Sequence, residues 1–350
     1  MALLMASRRA RRWRVDQTVD TVNAPGPSAP PALGGSARPE LAVVIVNYLS
    51  GNDLRDCLGA LVSHADGIDL EVVVVDNGSE DGSLDGIERI CPSRVVTSGA
   101  DVGFGAGVNR GVAATSAPWI LVVNPDARIV EGELRAFVDA AEARPEVALF
   151  GPRILRDDGS PSVSQARFPT LGREFAEAIR LHHVPGLSGV QRAITNRSRY
   201  EHETRPDWVF GAVMLFRRDV FAAVGGFDDE YFLYWEEVDW CLRARRAGWE
   251  IAYLPTATFE HTGGAVRDKP ELFATYVASN LRFYDKHYSR RRALAHRSVL
   301  ILNLRLRLAA ARVGFCAGRD AALERAIFAS ALAECRSGGV ALRRPPTASA

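Results

Sequence analysis

Paired cysteines are absent from this sequence. Its five cysteines (Cys57, Cys91, Cys241, Cys316 and Cys335) form no C-x-x-C motif and no metal-type spacing with histidine. An odd, scattered set excludes a disulfide-stapled secreted scaffold, and it reads as reduced thiols in a cytoplasmic protein, most of them in cores. Long apolar runs are missing too. No uncharged stretch of about 18 residues occurs, so no transmembrane helix is expected. The N-terminus has the wrong order for a signal peptide, with a short apolar stretch (Met1 to Ala6) ahead of the basic run Arg8 to Arg14. Nor is there an excess of charge of one sign: 43 basic and 42 acidic residues give a net +1. Nucleic acid is therefore not an expected partner, and any basic surface must be local.

What remains is an ordinary globular composition, 47% hydrophobic and 24% charged, in a chain of 350 residues that can bury a sizeable core. Residues 17–39 are rich in Pro, Ala, Gly and Ser, too apolar-poor to offset chain entropy, so 1–39 reads as a disordered leader. From there apolar, β-branched runs alternate with helical spacing. Strands are expected at 41–46, 70–75, 95–96, 119–123 and 147–150, and helices at 52–64, 103–115 and 131–143. Short strands buried on both faces and alternating with helices predict an α/β fold with a mostly parallel central sheet flanked by helices. Ligands of such sheets bind at the carboxyl ends of the strands. Asn47, Asp76 and Asn124-Pro125-Asp126 each follow a strand directly, which puts all three on one rim.

The second half is less regular. Residues 157–206 mix Gly, Pro, Arg and His and read as a variable, partly mobile insertion. Strand character returns at 207–217, a helix is expected at 237–247 closed by Gly248, and another strand at 249–254. Residues 270–287 and roughly 293–335 are helical, the latter carrying seven arginines from Arg290 to Arg312 among Leu, Ile and Ala. Such a basic amphipathic extension (291–335, before a disordered tail at 336–350) suits either peripheral contact with an anionic bilayer or a solvated face packed on the domain.

Several short stretches carry chemistry. Asp76-Asn77-Gly78-Ser79 is either an Asx turn or a strand-end carboxylate able to accept the imide N–H of uracil or thymine. Gly103-Phe104-Gly105-Ala106-Gly107 opens a helix and lets backbone approach a phosphate or ribose. It fails the dinucleotide fingerprint, because Val108 and Arg110 stand where glycine is required. Asn124-Pro125-Asp126 is either a turn or a cation site, since a hard divalent ion on a diphosphate needs only one or two protein oxygens. The stretch from Tyr234 to Arg243 places Glu236, Glu237 and Asp239 among aromatics at a helix start. Asp239 and Arg243 can pair four residues apart. A carboxyl among aromatics can rise in pKa toward that of a useful base. His261 is either a further ligand or a loop histidine.

Together these segments resemble glycosyltransferase family 2, the inverting enzymes of the GT-A fold, and in particular its bacterial rhamnosyltransferase-like branch. The pieces stand in family order. They are Val43 to Tyr48, Val74 to Ser79, Gly103 to Asn109, Asn124 to Asp126, Phe210-Gly211-Ala212, Gly225 to Asp228, Trp235 to Asp239, and His261. The resemblance covers about 40–290, which would be the catalytic domain. It implies donor-nucleotide contacts from Asn47, Asp76, Gly103, Asn109 and Asn124, and a divalent metal (Mn²⁺ or Mg²⁺) on Asp126 and His261. It places the catalytic base at Glu237, with Glu236 or Asp239 as alternatives, and the acceptor pocket at Trp235, Gly211 and Ala212. Two departures stand out: Asn124 replaces the first acid of the family's D-x-D motif, and Glu236-Glu237 replaces its Glu-Asp. The implied reaction moves a sugar from a dTDP- or UDP-sugar to a saccharide or polyprenyl-linked acceptor in cell-wall or surface polysaccharide synthesis, at the cytoplasmic face of the membrane. The alternatives are a catalytically silent scaffold of the same fold and a nucleotidyltransferase.

Overall fold

A computed structural model describes residues 39–184, 186–263, 269–312 and 321–337. The leader and nearly all of the tail expected from composition lie outside them. In chain order the elements are β1 (Leu41–Asn47), α1 (Asp53–Ser63), β2 (Leu70–Asp76), β3 (Arg94–Thr97), α2 (Phe104–Ala113), β4 (Trp119–Val123), β5 (Ala127–Glu131), α3 (Leu134–Glu142) and β6 (Val147–Leu155). Then come β7 (Gln165–Ala166), α4 (Leu171–Ala178), β8 (Trp208–Val209), β9 (Val213–Arg217), α5 (Arg218–Val224), α6 (Glu236–Arg246) and β10 (Glu250–His261). Three helices follow, α7 (Pro270–His287), α8 (Arg290–Arg312) and α9 (Ala321–Ser337).

Eight strands form one sheet in the order β3-β2-β1-β4-β9-β6-β10-β5. Pairing is parallel except where β9 runs against β4 and β6, and where β5 runs against β10. The sheet is thus mostly parallel, as its uninterrupted apolar strands predict. Every residue of β1 is buried. Because side chains alternate, Leu41, Val43 and Ile45 enter the core beneath α1 and α3, while Val44 and Val46 enter the core beneath α2, α5 and α6. Each such side chain contributes on the order of 1.5–3 kcal/mol of burial. α2 can lie this close because it carries glycine: a Cβ on Gly111 would stand 2.3 Å from Val44 Cγ1.

Two element bounds expected from the sequence are corrected. The helix expected from 131 starts at Leu134, and the residues before it form β5. Gly132 explains the break. Its φ is +83°, and a Cβ there would lie 2.5 Å from the Thr256 carbonyl oxygen, so the chain turns instead of coiling. The segment expected as an insertion, 157–206, includes α4. Its hub is buried Tyr200, whose hydroxyl donates to the Ile194 carbonyl (2.7 Å) and accepts from the Ser164 and Gln165 amides. The C-terminal region is helical as expected, in two helices among the described residues. α7, α8 and α9 share a core of Val277, Leu281, Leu304, Phe328 and Leu332. The strand expected at 249–254 also continues to His261, which carries that residue to the rim.

Candidate active site

The carboxyl ends of β1, β2 and β4 do share one rim. Asn47 and Asp76 are paired in register, and Asn47 Nδ2 lies 3.0 Å from Asp76 Oδ1. It also reaches Ser79 Oγ (3.0 Å) and Ser83 Oγ (2.9 Å), while Ser50 donates to its carbonyl. Asp76 accepts the Gly78 amide at 3.1 Å and the Ser79 amide at 3.2 Å, closing an Asx turn. Asn47 is wholly buried. Its side chain is spent on Asp76, Ser79, Ser83 and Ser50. The side chains open to solvent here are Tyr48 and Leu49.

Asn77 links this turn to the start of α2. Its Nδ2 donates to the Gly103 carbonyl (3.1 Å), and the Gly103 amide donates to Asp101 Oδ1 (3.0 Å). The next amide, that of Phe104, donates to the Phe232 carbonyl just before α6. Gly103 therefore joins the Asp76 turn to the acidic segment. Asn109, expected beside the donor, is committed elsewhere. Its Nδ2 donates to the Phe227 carbonyl (2.8 Å) and to Asp229 (2.6 Å), and its Oδ1 accepts the Phe227 amide (2.9 Å). It clamps the Gly225–Asp228 segment onto α2.

β5 is what brings the metal candidates together. Its register with β10 sets Ala127 opposite His261, so Asp126, one residue earlier, meets the imidazole. His261 Nε2 lies 3.2 Å from Asp126 Oδ1 and 3.4 Å from Asn124 Nδ2. Both side chains are partly exposed. Gly263 closes over them, and a Cβ there would lie 2.6 Å from Asp126 Oδ2 and 2.7 Å from His261 Nε2. Among the described residues no cluster of three or more His, Cys, Asp or Glu forms a full protein cage. One carboxylate and one imidazole at an open rim suit a divalent ion that takes its other ligands from phosphate and water. Asn124 presents its amide N–H₂ toward His261, and its backbone N–H donates to the Ala212 carbonyl (2.8 Å). That bond ties the metal candidates to the acceptor side.

The acidic helix start differs in character. Tyr234 and Trp235 both hold left-handed backbone, with φ of +68° and +74°, at the entrance to α6. Consecutive non-glycine residues there are strained, and such strain clusters at functional sites. Glu236 is buried and points its stem toward Gly105 of α2, while Glu237 packs beside Gly211. The Oε2 atoms of both are buried without a hydrogen-bond partner. Burial raises both carboxyls. Glu236, under the added charge of Glu237, lies well above the usual carboxylate range. For Glu237, backbone N–H groups of the helix start partly oppose burial and leave it at about 7. Tyr234 is pushed up to about 12 by burial and by these two acids, so its hydroxyl keeps its proton.

Asp239 is not a base. It is fully buried against His287 Nε2 (2.6 Å), Lys286 Nζ (2.7 Å) and Arg243 Nε (2.8 Å). Although burial works against it, those partners hold its carboxyl far below the usual range, so it cannot take a proton near neutrality. Trp235, expected to line the acceptor pocket, is buried against Tyr276 and Phe283, with the Arg192 guanidinium 5.5 Å from its ring. Ala212 is buried as well and contributes its carbonyl. Gly211 stays partly open beside Glu237, next to Phe210 stacked on Trp208 at 4.9 Å. Ser79 and Tyr234 stand in stretches that the sequence marks, but without a role of their own there. Ser83 and Gly263 are not singled out, although Gly263 is the first of two glycines just after His261.

The rim of the parallel sheet thus carries an acid–imidazole pair, linked through the Asn124–Ala212 backbone bond to a corner with a raised carboxyl at a helix start. The chain belongs to glycosyl transferase family 2, whose model matches residues 42–224. It is 33% identical over 292 residues to the N-acetylglucosaminyl-diphospho-decaprenol L-rhamnosyltransferase of Mycobacterium tuberculosis, covering 76% of this chain and 94% of that one. It is 26% identical over 268 residues to rhamnosyltransferase WbbL of Escherichia coli K12, covering 73% and 95%. Among solved structures it is similar to the mannosyltransferase PcManGT from Pyrobaculum calidifontis in complex with GDP-Man and Mn²⁺. The TM-score is 0.53 at 14% identity, over 87% of this chain and 88% of that one, a likeness of fold. The chain is a glycosyltransferase.

Proposed function

We propose that the enzyme transfers L-rhamnose from dTDP-L-rhamnose, with inversion, to an N-acetylglucosamine carried on a polyprenyl diphosphate. The observation that carries this reading is Glu237. It is a carboxyl poised at about 7, with one buried oxygen, Oε2, lacking a partner, beside Gly211, and one backbone bond (Asn124 to Ala212) connects that corner to Asp126 and His261. The activity for which the mycobacterial relative is named supports the sugar and the acceptor class.

Glu237 takes the proton of the acceptor hydroxyl. The hydroxyl oxygen forms the new bond to the anomeric carbon from the face opposite the leaving group, and the bond to the nucleoside diphosphate breaks. Glu236 stays protonated behind it and keeps a second negative charge out of the corner. Asp76 accepts the imide N–H of the thymine, with Asn47 fixing the carboxylate and Gly103 closing the same side. Asp126 and His261 hold a divalent ion, Mn²⁺ or Mg²⁺, which when bound supplies positive charge to the departing diphosphate. A lipid-linked acceptor sets the enzyme to work at the cytoplasmic face of a membrane.

The test is a donor panel. Purified enzyme with a short-chain GlcNAc-diphospho-polyprenol should release dTDP from dTDP-L-rhamnose, and NMR of the product should show the anomeric configuration inverted. Turnover with a UDP-sugar but none with dTDP-rhamnose would remove the donor assignment, and a retained configuration would remove the mechanism.

A further inference from the structure

Acidic residues are not spread evenly. The chain has 42 Asp and Glu in 350 residues, about one in eight, yet residues 178–200 and 286–312 contain none. These two stretches hold Arg180, Arg192, Arg197 and Arg199 in the first, and Lys286 and seven arginines in the second. They are neighbours in space, because α4, which ends at Ala178, packs on α8. The same two regions collect exposed apolar side chains. Of the eleven large exposed hydrophobics among the described residues, six lie here, Ile179, Val184 and Leu187 in the first stretch and Leu294, Leu302 and Leu306 on α8, and Phe175 lies just before the first stretch.

α8 is apolar on its inner side, where Leu304 and Ala311 are buried against α7 and α9. Its outer side ought to carry the mixed acid–base pairs of a water-facing helix. It carries instead Arg291, Leu294, Leu302, Arg305, Leu306 and Arg312, all exposed and all on one stripe about a third of the helix wide, with Ser298 and Ala309 between them. Leucine between arginines, with no acid, is the pattern of a helix lying in a bilayer interface: leucine enters the acyl boundary and guanidinium meets lipid phosphate. No described helix is long and apolar enough to cross a membrane, so the contact is lateral.

We infer that the outer face of α8, extended by the apolar edge from Phe175 to Leu187, is a docking surface for an anionic lipid bilayer. The inference deepens the reading of a lipid-linked acceptor and rests on it: docking would hold the catalytic rim near the plane in which a polyprenyl diphosphate is anchored. Charge complementarity selects the bilayer over a second copy of the chain, since two such faces would set arginine against arginine.

The experiment uses the full chain and vesicles of phosphatidylcholine alone or with about a third phosphatidylglycerol. The protein should sediment with the anionic vesicles only, and high salt should release it. Replacing Arg291, Arg305 and Arg312 by Gln, or Leu294, Leu302 and Leu306 by Ser, should weaken binding at least about tenfold, given about fivefold per arginine at a lipid surface. Both variants should keep transfer to a water-soluble, short-chain acceptor. Absence of binding by the unaltered protein, or sedimentation of both variants like the unaltered protein, would overturn the inference. So would a dimer that the serine variant dissociates in the absence of vesicle binding. The salt response of the unaltered protein is an independent check should a variant misfold. Loss of transfer to every acceptor by the unaltered enzyme would instead count against the proposed reaction, leaving vesicle binding as it was measured.

Discussion

Asp76 and Glu237 are carboxyls of the same active-site rim, yet their surroundings are opposed. Asp76 accepts two backbone amides and the Asn47 side chain, so its own carboxylate is already paired. Glu237 has a buried oxygen with no partner, a second acid beside it, and two left-handed residues before it. On the proposed assignment the donor side is organised in advance, whereas the acceptor side keeps one unmet hydrogen-bonding oxygen that an incoming hydroxyl would satisfy. Preorganisation suits recognition of a fixed base; an unsatisfied carboxyl suits proton removal.

This contrast can be broken at Glu237 first. Glu237→Gln should lower kcat by about 10²–10⁴ while leaving melting temperature equal or higher, because it removes a buried charge. In the unaltered enzyme kcat/KM should rise with pH through an apparent pKa near 7, as Glu237 loses its proton. Because burial raises both Glu236 and Glu237, their contribution to stability is fully present at acid pH, below the unfolded carboxyl range. It declines as pH rises through the folded value of Glu237. A flat rate profile between pH 6 and 8 would reject Glu237 as base.

Asp239 provides the opposite control, since its fault should be one of stability. Asp239→Asn removes the common partner of His287, Lys286 and Arg243 and should cost about 3 kcal/mol, measured by denaturant unfolding. Its carboxyl is depressed, so its contribution holds above the ordinary Asp range and is lost as pH falls through its folded value. Loss of activity without loss of stability would return it to the catalytic set.

Next comes Asp126→Ala, expected to reduce divalent-dependent turnover by about 10²–10³ with an unchanged fold. Calorimetric titration of Mn²⁺ with dTDP should lose its metal-dependent heat, and full retention would clear Asp126 of the role. The smallest effect is expected at Asp76→Ala, which should raise the donor KM about tenfold and cost about 1–2 kcal/mol through the opened Asx turn. A donor KM left untouched would reduce Asp76 to turn formation.

Much of this was legible in the sequence, for identifiable reasons. Apolar runs such as 41–46 and 119–123 are buried on both faces, so composition alone marks them as strands, and the residues following them fall on the rim. β5 was not legible, because Ala127–Glu131 mixes Arg and Glu with Ile and Val. It is a strand by virtue of pairing with a segment more than a hundred residues away. The same kind of distant partner reassigned Asn109, Asp239 and Trp235. Their residue types fit a site, but Phe227, Lys286, His287 and Phe283 claim them, and none of those contacts is local. Glu237 was legible as a carboxyl among aromatics; its distinction from Asp239, two positions on, needed the fold.

β9 is the one reversed strand inside the sheet, and its direction has a consequence for how the molecule can vary. β6 arrives at the catalytic rim and β9 departs from it, so the segment between them starts and finishes on that rim without entering the sheet. That segment flanks Gly211 and carries α4, while the Asp76 turn lies across β1 and β4 from it. The scaffold is therefore modular. Exchanging 157–206 for a loop of another length should redirect which acceptor is glycosylated and leave the choice of nucleotide where it was.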